Sequence, residues 1–420
     1  MEWGRSGPLP PTGLACVVFA MAVTSVRRTA LTPSPTAERS LALAIADANW
    51  YTTENLFRAL DRPSTATLLL KCVDYYNAWK RGSRPWAWGQ PLSESTPNLW
   101  TRDLVLPSGW MKRFPTWGMR PIARSIARWR SEHAPGGALA LVMTYPHYLY
   151  LRDRVKPDKS IYFNIDDYSQ YWPRCADRVN ALERQAVREA DLTVCVSRLR
   201  CEQLREAVPE ASAKIRHLPH GAPADSIAAA PHRVPAEPPD DLARLPGPKL
   251  GFIGSLEDRI DWPLLCRLAD ALPQASIVLI GKAGATAPGA WQADRARCLS
   301  RPNVVLLGWK PQDAIARYNA AFDVCLIPYR ADHPFNIACC PTKIMDCMGT
   351  GRPIVSTDLP ECRLYAHLFS VAPDSDTFIE VVRSLAAHGF DDGQADARHA
   401  YAVENSCART VERFLDWLPV

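Results

Sequence analysis

The residues best suited to chemistry lie in the second half of the chain, where glycine turns and cations follow apolar runs. Gly254 and Ser255 end one such run, and a glycine there lets backbone amides approach a diphosphate. Lys343 follows Thr342 at the expected start of a helix, where free N–H groups favour the same anion. Arg259 adds a guanidinium with the fork geometry that suits phosphate. These residue types predict a diphosphate-binding site.

Each of these residues also has an ordinary structural explanation. Gly254 could simply end a strand, and Lys343 could be a solvated helix charge. Arg259 could pair at the surface with one of the flanking acids, Asp258 or Asp261. For each residue, the functional and the structural explanation both stay open from the sequence alone.

The elements that must position these residues alternate between apolar runs and helical patterns, twice along the chain. Runs such as Leu41–Ala46 and Lys249–Ile253 are typical of buried strands. Alternating strands and helices predict an α/β protein with two Rossmann-like parallel-sheet domains that face a cleft. Ligands of such sheets bind beyond the carboxyl ends of the strands.

The composition sets the domain boundaries and the class of protein. Residues 40–225 are predicted to form the N-terminal domain, and 249–395 the C-terminal domain. The proline-rich stretch 226–248 reads as a linker. Residues 396–420 are predicted to be a C-terminal helix that packs back on the N-terminal domain. We interpret residues 1–39 as a disordered or wrongly assigned start.

Charge and cysteine content exclude some classes of function. The net charge of +5 is not gathered in long basic runs, which argues against nucleic acid as a partner. The 13 cysteines contain no CxxC pair, so we expect buried thiols in a reducing compartment. The early apolar run of residues 14–23 is well short of the ~20 residues that a membrane span needs. The expected localisation is the cytoplasm, with the inner face of the membrane as an alternative.

An ordered set of motifs then gives the second half a resemblance to a known family. The motifs are GFIGS at 251–255, VLIG at 278–281, NVVLLGW at 303–309, DVCLIPY at 323–329, and PTKIMD at 341–346 running on to GRPIVST at 351–357. This series resembles the donor-binding domain of GT-B glycosyltransferases of group 1 (GT4), in particular a bacterial polysaccharide-type subset. The resemblance is firm over residues 249–365 and weaker over 40–225.

The resemblance implies an activity and a role for one further acid. It implies a retaining, metal-independent transferase for polysaccharide biosynthesis that uses a nucleotide-diphosphate-sugar, with UDP or GDP favoured, and holds no separate cofactor. Family members hold the ribose hydroxyls with a glutamate where this chain has Asp346, and a carboxylate can accept from both hydroxyls of a cis-diol. Asp346 could instead be a solvent-facing helix residue. The other acid of the family's paired motif is replaced by Ala338, which leaves the identity of the sugar open.

The acceptor, a glycan or a lipid-linked acceptor, is expected at the N-terminal domain. Asp166 and Asp167 follow a buried strand, and one of these carboxylates is predicted to meet acceptor or sugar hydroxyls, with Asp167 as the catalytic candidate. His147 could orient an acceptor hydroxyl or a phosphate. Helix capping by the acids, and a structural histidine, are the alternatives. The loop Asp47–Tyr51 could line the cleft or cap a helix.

The helix predicted over residues 119–130 carries two stripes. Ile122, Ile126 and Trp129 share one face, and Arg120, Arg124 and Arg128 recur at i+4. Such a helix can lie on anionic lipid as a peripheral membrane contact. It can equally be an ordinary surface helix with its apolar face packed inward.

Two other functions fit the same architecture. A nucleotide-sugar epimerase would need acid–base residues in the cleft, and a non-catalytic sugar-nucleotide-binding partner would bind the donor without turnover. The expectation that the sequence favours is a glycosyltransferase.

Overall fold

The computed structural model describes residues 40–80, 92–231, 237–282 and 289–418. Residues 1–39, interpreted from the sequence as a disordered or wrongly assigned start, lie outside these ranges. The described residues from 40 onward build two parallel sheets flanked by helices, so the predicted α/β class with two Rossmann-like domains is confirmed.

The N-terminal part contains eight strands and seven helices in the described ranges. The strands are β1 (Leu41–Ala46), β2 (Thr65–Asp74), β3 (Ser93–Thr96), β4 (Leu99–Leu106), β5 (Ala138–Met143), β6 (Lys159–Asn164), β7 (Leu192–Cys195) and β8 (Ile215–His217). The helices are α1 (Tyr51–Arg58), α2 (Tyr75–Lys80), α3 (Trp110–Arg113), α4 (Pro115–His133), α5 (Leu149–Val155), α6 (Ala176–Glu189) and α7 (Arg198–Ala207).

The C-terminal part continues the alternation. Its strands are β9 (Lys249–Ile253), β10 (Ser276–Ile280), β11 (Val304–Gly308), β12 (Val324–Ile327), β13 (Ile354–Thr357) and β14 (Ser370–Ala372). Its helices are α8 (Asp240–Ala243), α9 (Trp262–Ala271), α10 (Trp291–Leu299), α11 (Ile315–Ala321), α12 (Pro334–Ala338), α13 (Lys343–Met348), α14 (Pro360–Arg363), α15 (Ser375–Ala387), α16 (Ala395–Glu404) and α17 (Cys407–Asp416).

The strand orders locate the expected ligand sites. The first sheet runs β3-β4-β2-β1-β5-β6-β7-β8, with only β3 antiparallel to its neighbour, and the second runs β11-β10-β9-β12-β13-β14. In each sheet the direction of strand addition reverses beside the first long strand, at β1/β5 and at β9/β12. A crevice forms at such a reversal, outside the carboxyl ends of the strands.

Each sheet has its own apolar core. β1 is buried along its whole length, as is β10, which is typical of parallel strands covered by helices on both faces. In the first core Phe57, Phe163 and Phe414 pack edge to face, with ring centroids 5.5–6.1 Å apart. Phe414 belongs to α17, so the end of the chain completes the core of the first sheet.

The predicted C-terminal helix over 396–420 is corrected in one respect. The structure has two helices there, and they break at Asn405 and Ser406, where the Ser406 hydroxyl caps α17 by accepting from the Arg409 N–H. A distant part of the chain holds this break in place, because the Ala222 N–H donates to the Asn405 carbonyl and the Ala222 carbonyl accepts from the Cys407 N–H. α16 packs on α13 in the C-terminal part, and only α17 packs on α1.

The predicted linker over 226–248 is also shorter than expected. Its second half carries α8, whose Leu242 is 1% exposed in the core of the second sheet. Asp241 accepts from Lys310 at 2.6 Å and from the Tyr318 hydroxyl at 2.9 Å. Proline content alone suggested a spacer, but these contacts make residues 240–248 part of the C-terminal domain.

Two expectations from the sequence concern membrane spans and the cysteines. Among the described helices none combines the length and apolarity that a membrane crossing requires. Eleven of the twelve described cysteines are buried and all twelve are free thiols, which fits the expected buried thiols.

Candidate active site

A cavity of about 330 Å³ opens at the strand reversal of the second sheet. The carboxyl ends of β9, β10 and β12 form its floor, and the start of α13 forms one wall. The candidates that line it are Gly254, Ser255, Thr342, Lys343 and Asp346. The structure therefore gathers five of the six predicted donor-binding residues in one place, although the roles predicted for them remain untested.

Close approach of a lysine explains the glycine at the end of β9. A Cβ at position 254 would lie 2.8 Å from Cε and 3.0 Å from Nζ of Lys343, so a side chain there would displace the end of the lysine. Gly281, at the end of β10, has φ +146° and faces the carbonyl of Gly254, so it also excludes a side chain. The two turns leave backbone and one ammonium group at the cavity floor, which is a cradle for an anion.

Arg259 does not line this cavity but lies beside it. Its Nε donates to the Asn336 side chain at 2.8 Å, and its guanidinium lies 3.9 Å from the Phe335 ring centroid. Arg259 and Lys343 approach the same Tyr329 ring, at 5.1 Å and 5.3 Å from its centroid. The surface pairing that the sequence left open, with Asp258 or Asp261, is not what holds Arg259.

Asp346 is buried, with 8% of its surface exposed. Burial raises the pKa of its carboxyl to about 7; the ammonium of Lys343 opposes the rise and Asp225 adds to it. The alternative of a solvent-facing helix residue is therefore wrong. Hydrogen-bond donors of a bound ligand would favour the ionised form of such a carboxyl.

Three further residues lie at this cavity and were not assigned to the donor site from the sequence, although Tyr51 belongs to the loop that was expected to line the cleft. Trp309 is 59% exposed at the cavity edge, and Lys282 Nζ lies 4.9 Å from its ring centroid. Tyr51 reaches the cavity from α1 of the N-terminal part. The NVVLLGW motif contained Trp309, but no local signal in the sequence connects Tyr51 with residues of the other domain.

A second cavity, of about 640 Å³, lies at the strand reversal of the first sheet. Aromatic side chains dominate its lining: Trp50, Tyr76, Trp110, Tyr145 and Trp172. The Trp50 indole N–H donates to the Tyr145 hydroxyl at 2.9 Å, which fixes both rings. Flat rings with polar edges are suited to the faces and hydroxyls of sugars.

Asp47 provides a carboxyl at the base of this second cavity. It ends β1 with φ +70°, a left-handed conformation that is uncommon for a residue with a side chain. It is 4% exposed, and burial raises its pKa to about 7, while hydrogen bonds with the Tyr148 side chain and with the backbone at Asn49 and Cys72 oppose the rise. A buried acid in a strained backbone conformation is typical of a ligand-binding position.

The structure separates the adjacent acids Asp166 and Asp167. Asp167 holds its own turn, because its Oδ1 accepts from the Ser169 hydroxyl at 2.6 Å and from the Ser169 N–H at 3.1 Å. Asp166 accepts from the Tyr171 hydroxyl at 2.7 Å, burial raises its pKa to about 6, and Arg259 opposes the rise. Asp167 thus caps a turn rather than the helix that the alternative named, while Asp166 faces the cation of the other domain.

His147 lies one layer behind the second cavity. It is half-buried in a short 3₁₀ turn, and its ring meets the Trp172 ring edge to face at 5.3 Å. Trp172 lines the cavity and His147 does not. The structure therefore brings neither Asp167 nor His147 to a cavity wall, and their catalytic role stays a prediction.

The two domains meet at this level of the molecule. Tyr171 of the N-terminal part contacts Phe335 of the C-terminal part, with centroids 5.5 Å apart. Within the described ranges no group of three or more His, Cys, Asp or Glu side chains is arranged to hold a metal ion. Two Rossmann-like domains with a cavity at each switch point, facing one cleft, define the GT-B class of fold.

Comparison with known proteins assigns the C-terminal part to a family. Residues 247–388 match the model of the glycosyl transferases group 1 family. The glycosyltransferase TuaH of Bacillus subtilis (strain 168), named for teichuronic acid biosynthesis, is 24% identical over 242 residues. That match covers 54% of this chain and 57% of TuaH, somewhat more than half of each.

Solved structures agree on the fold. Sucrose-phosphate synthase from Thermosynechococcus elongatus superposes with a TM-score of 0.65 at 14% identity, over 90% of this chain and 98% of that one. HepE from Anabaena, solved with UDP and glucose, gives 0.60 at 13% identity over 90% and 98%. Residues 247–388 form a group 1 glycosyltransferase domain within a GT-B fold, as the sequence motifs predicted, and the matches support a transferase.

Proposed function

We propose that this chain transfers a sugar from a nucleoside-diphosphate-sugar to a glycan or lipid-linked acceptor. One observation carries the proposal: the ammonium of Lys343, the side-chain-free turns at Gly254 and Gly281, and the buried carboxyl of Asp346 converge on one cavity. Diphosphate and ribose are the chemical groups that this combination would recognise.

The leaving diphosphate would be stabilised by fixed positive charge. Lys343 lies directly over the Gly254 turn, and Lys282 follows the Gly281 turn at the cavity edge. Arg259 is positioned by Asn336 and Phe335 beside the same Tyr329 ring. Charges that are held in place before the reaction need no reorganisation as the bond to the diphosphate breaks.

The ribose and base would lie toward α13 and β11. Asp346, when ionised, can accept from both ribose hydroxyls. The exposed Trp309 face offers a surface for the base, with Lys282 on the ring. UDP is the first nucleotide to test, because the structures of HepE and of an E. coli trehalose-6-phosphate protein were solved with UDP or a UDP-sugar.

The acceptor would occupy the aromatic cavity of the N-terminal part. Trp50, Tyr145 and Trp172 offer ring faces there, and Asp47 offers a carboxyl for a hydroxyl group. Retention of configuration and independence from a metal are proposed from the family resemblance. Unchanged turnover in EDTA and an NMR assignment of the product anomer test these two points.

The proposal is tested by donor-site variants. Lys343→Ala should weaken UDP binding by roughly 10- to 100-fold, since a charge-assisted hydrogen bond contributes about 1.5–3 kcal/mol. Gly254→Val should block the cavity through the clash with Lys343. Arg383→Ala, an exposed arginine on α15, is the matched control and should bind UDP normally. Titration calorimetry with UDP, GDP and ADP, followed by transfer assays with the matching sugars, provides the measurement.

Three results would count against the proposal. If UDP, GDP and ADP all fail to bind the wild-type protein, there is no donor site. If NMR shows the donor sugar epimerised without any acceptor, the protein is an epimerase. Tight donor binding with no turnover on a panel of acceptors would favour a non-catalytic binding partner.

A further inference from the structure

Three large aromatic side chains are exposed together at the carboxyl edge of the first sheet. Trp79 on α2 is 61% exposed, Phe114 between α3 and α4 is 64% exposed, and Trp117 on α4 is 58% exposed. Single exposed aromatic residues are common, but a group of them at one edge marks an interaction site.

These residues belong to neighbouring parts of the sheet. α2 follows β2, and α3 and α4 follow β4, which pairs with β2. The Tyr76 N–H of α2 donates to the Ser108 hydroxyl at 3.0 Å, just before α3. Helix α2 and the segment that begins α3 are therefore joined into one rim of the domain, and this rim carries the three exposed aromatic side chains.

This rim borders the aromatic cavity. Tyr76 and Trp110 both line that cavity. Trp110 packs on Gly118, where an added Cβ would lie 2.8 Å from its ring. Trp117, next in sequence to Gly118, thus stands beside the cavity wall.

Positive charge accompanies the aromatic side chains. Trp117, Arg120 and Arg124 follow i, i+3 and i+7 spacing, so they share one face of α4, and both arginines are exposed. Neither arginine forms an ion pair with an acid among the described residues. Arg154 lies close to the same helix end, where its Nε donates to the Thr116 carbonyl at 2.9 Å. We call Trp79, Phe114, Trp117, Arg120 and Arg124 the aromatic–basic surface.

The apolar face of α4 is not available to a membrane. Ile122, Ile126 and Trp129 are at most 1% exposed in the core of the first sheet. The sequence pattern offered this face as one side of a lipid contact over 119–130, and the structure uses it for packing. Any membrane contact must then be made by the tips and the arginines.

We propose that the aromatic–basic surface docks on an anionic lipid bilayer and turns the aromatic cavity toward it. Tryptophan and phenylalanine insert favourably at the headgroup level. Unpaired arginines are attracted to anionic lipid by about 1 kcal/mol each. This inference goes beyond the proposed function, because binding to lipid does not require a donor site.

Vesicle flotation tests the docking. The purified full chain is mixed with vesicles of phosphatidylcholine alone or with roughly 30 mol% phosphatidylglycerol added, because anionic lipid attracts exposed arginines. Wild type should float with the anionic vesicles, and raised salt should release it. Arg120→Gln/Arg124→Gln should lower the partition coefficient on the order of tenfold or more.

A second pair of variants separates lipid binding from folding. Phe114→Ser/Trp117→Ser should also lower partitioning, while Arg409→Gln, an exposed arginine on α17, should not. α17 packs on the face of the first sheet opposite α6, since Phe163 contacts Phe414 of α17 whereas the adjacent Tyr162 bonds Glu183 of α6. UDP binding should be the same in all of these variants.

The inference is overturned if the wild-type protein fails to float, or if it binds neutral and anionic vesicles equally. It is also overturned if the aromatic–basic variants keep the wild-type partition coefficient, or if Arg409→Gln lowers the coefficient as much as those variants do. If the chain floats as expected but binds no nucleoside diphosphate, the proposed function fails and the lipid surface stands.

Discussion

Asp346 shows how burial and binding oppose each other at one residue. Its carboxyl lies in a nearly dry position, so its pKa rises to about 7 although the Lys343 ammonium favours the charged form. In the proposed role, accepting from two ribose hydroxyls, the carboxyl works best when ionised. A bound ligand would then favour the ionised form of Asp346.

A pH dependence of donor binding follows. Below the pKa of about 7 the carboxyl is protonated, and above it the carboxylate is present. Affinity for UDP-glucose, whose diphosphate does not titrate in this range, should rise by about tenfold from pH 6 to pH 8. Calorimetric titrations at five pH values provide the profile.

The matched variants make that profile specific. Asp346→Asn should bind more weakly and with a flat profile. Asp47→Asn should keep the wild-type slope, although burial raises the pKa of Asp47 to about 7 as well, because that acid lies in the other cavity. A slope that survives in Asp346→Asn would assign the titration to another group.

At the scale of elements, α4 has two faces with separate tasks. Trp129 is 1% exposed and meets Trp100 edge to face at 6.2 Å, so it belongs to the core of the first sheet. Trp117, three turns earlier on the same helix, is 58% exposed. The helix thus anchors the domain with one face and presents the aromatic–basic surface with the other.

This division predicts unequal effects on stability. Trp129→Ala should lower the free energy of unfolding of the N-terminal domain by about 3–5 kcal/mol, because a large buried ring leaves a cavity. Trp117→Ala should change it by less than about 0.5 kcal/mol. Urea unfolding followed by circular dichroism measures both variants, and equal losses would show that Trp117 is also part of the core.

At the scale of the whole molecule, the chain crosses between its domains and returns. It leaves the first sheet after β8 and comes back at Asn405–Cys407, where Ala222 bridges to the start of α17. A buried side chain also links the two domains. Glu361 of α14 is 2% exposed and accepts from the backbone N–H of Arg198 at 2.8 Å, with His217 Nε2 at 3.4 Å.

Glu361 should therefore govern how the domains meet rather than how the donor binds. Glu361→Ala leaves the Arg198 N–H without its partner at the domain boundary, and we expect the transfer rate to fall on the order of tenfold, since about 1–3 kcal/mol is lost there. UDP affinity should fall much less, because the donor cavity is built mainly within the C-terminal part. Comparing the transfer rate constant with the Kd for UDP tests this. Equal losses in both would contradict it.

The sequence by itself determined the parts of this protein that depend on local patterns. Buried runs such as β1 and β10 and the helices between them follow from hydrophobic periodicity, which is a property of neighbours in the chain. The glycine turns and the PTKIMD motif placed Gly254, Lys343 and Asp346 at one edge of a sheet, because parallel strands bring their carboxyl ends together.

Only the tertiary structure decided which of these side chains meet and which adjacent residues part. Tyr51 reaches the donor cavity from the other domain, Arg259 and Lys343 share the Tyr329 ring, and Asp166 faces Arg259 while Asp167 holds its own turn. The direction of a side chain beyond a strand end is set by loop geometry and by packing between residues far apart in sequence. No local pattern encodes those contacts, and the split of the last helix also appeared only with the fold.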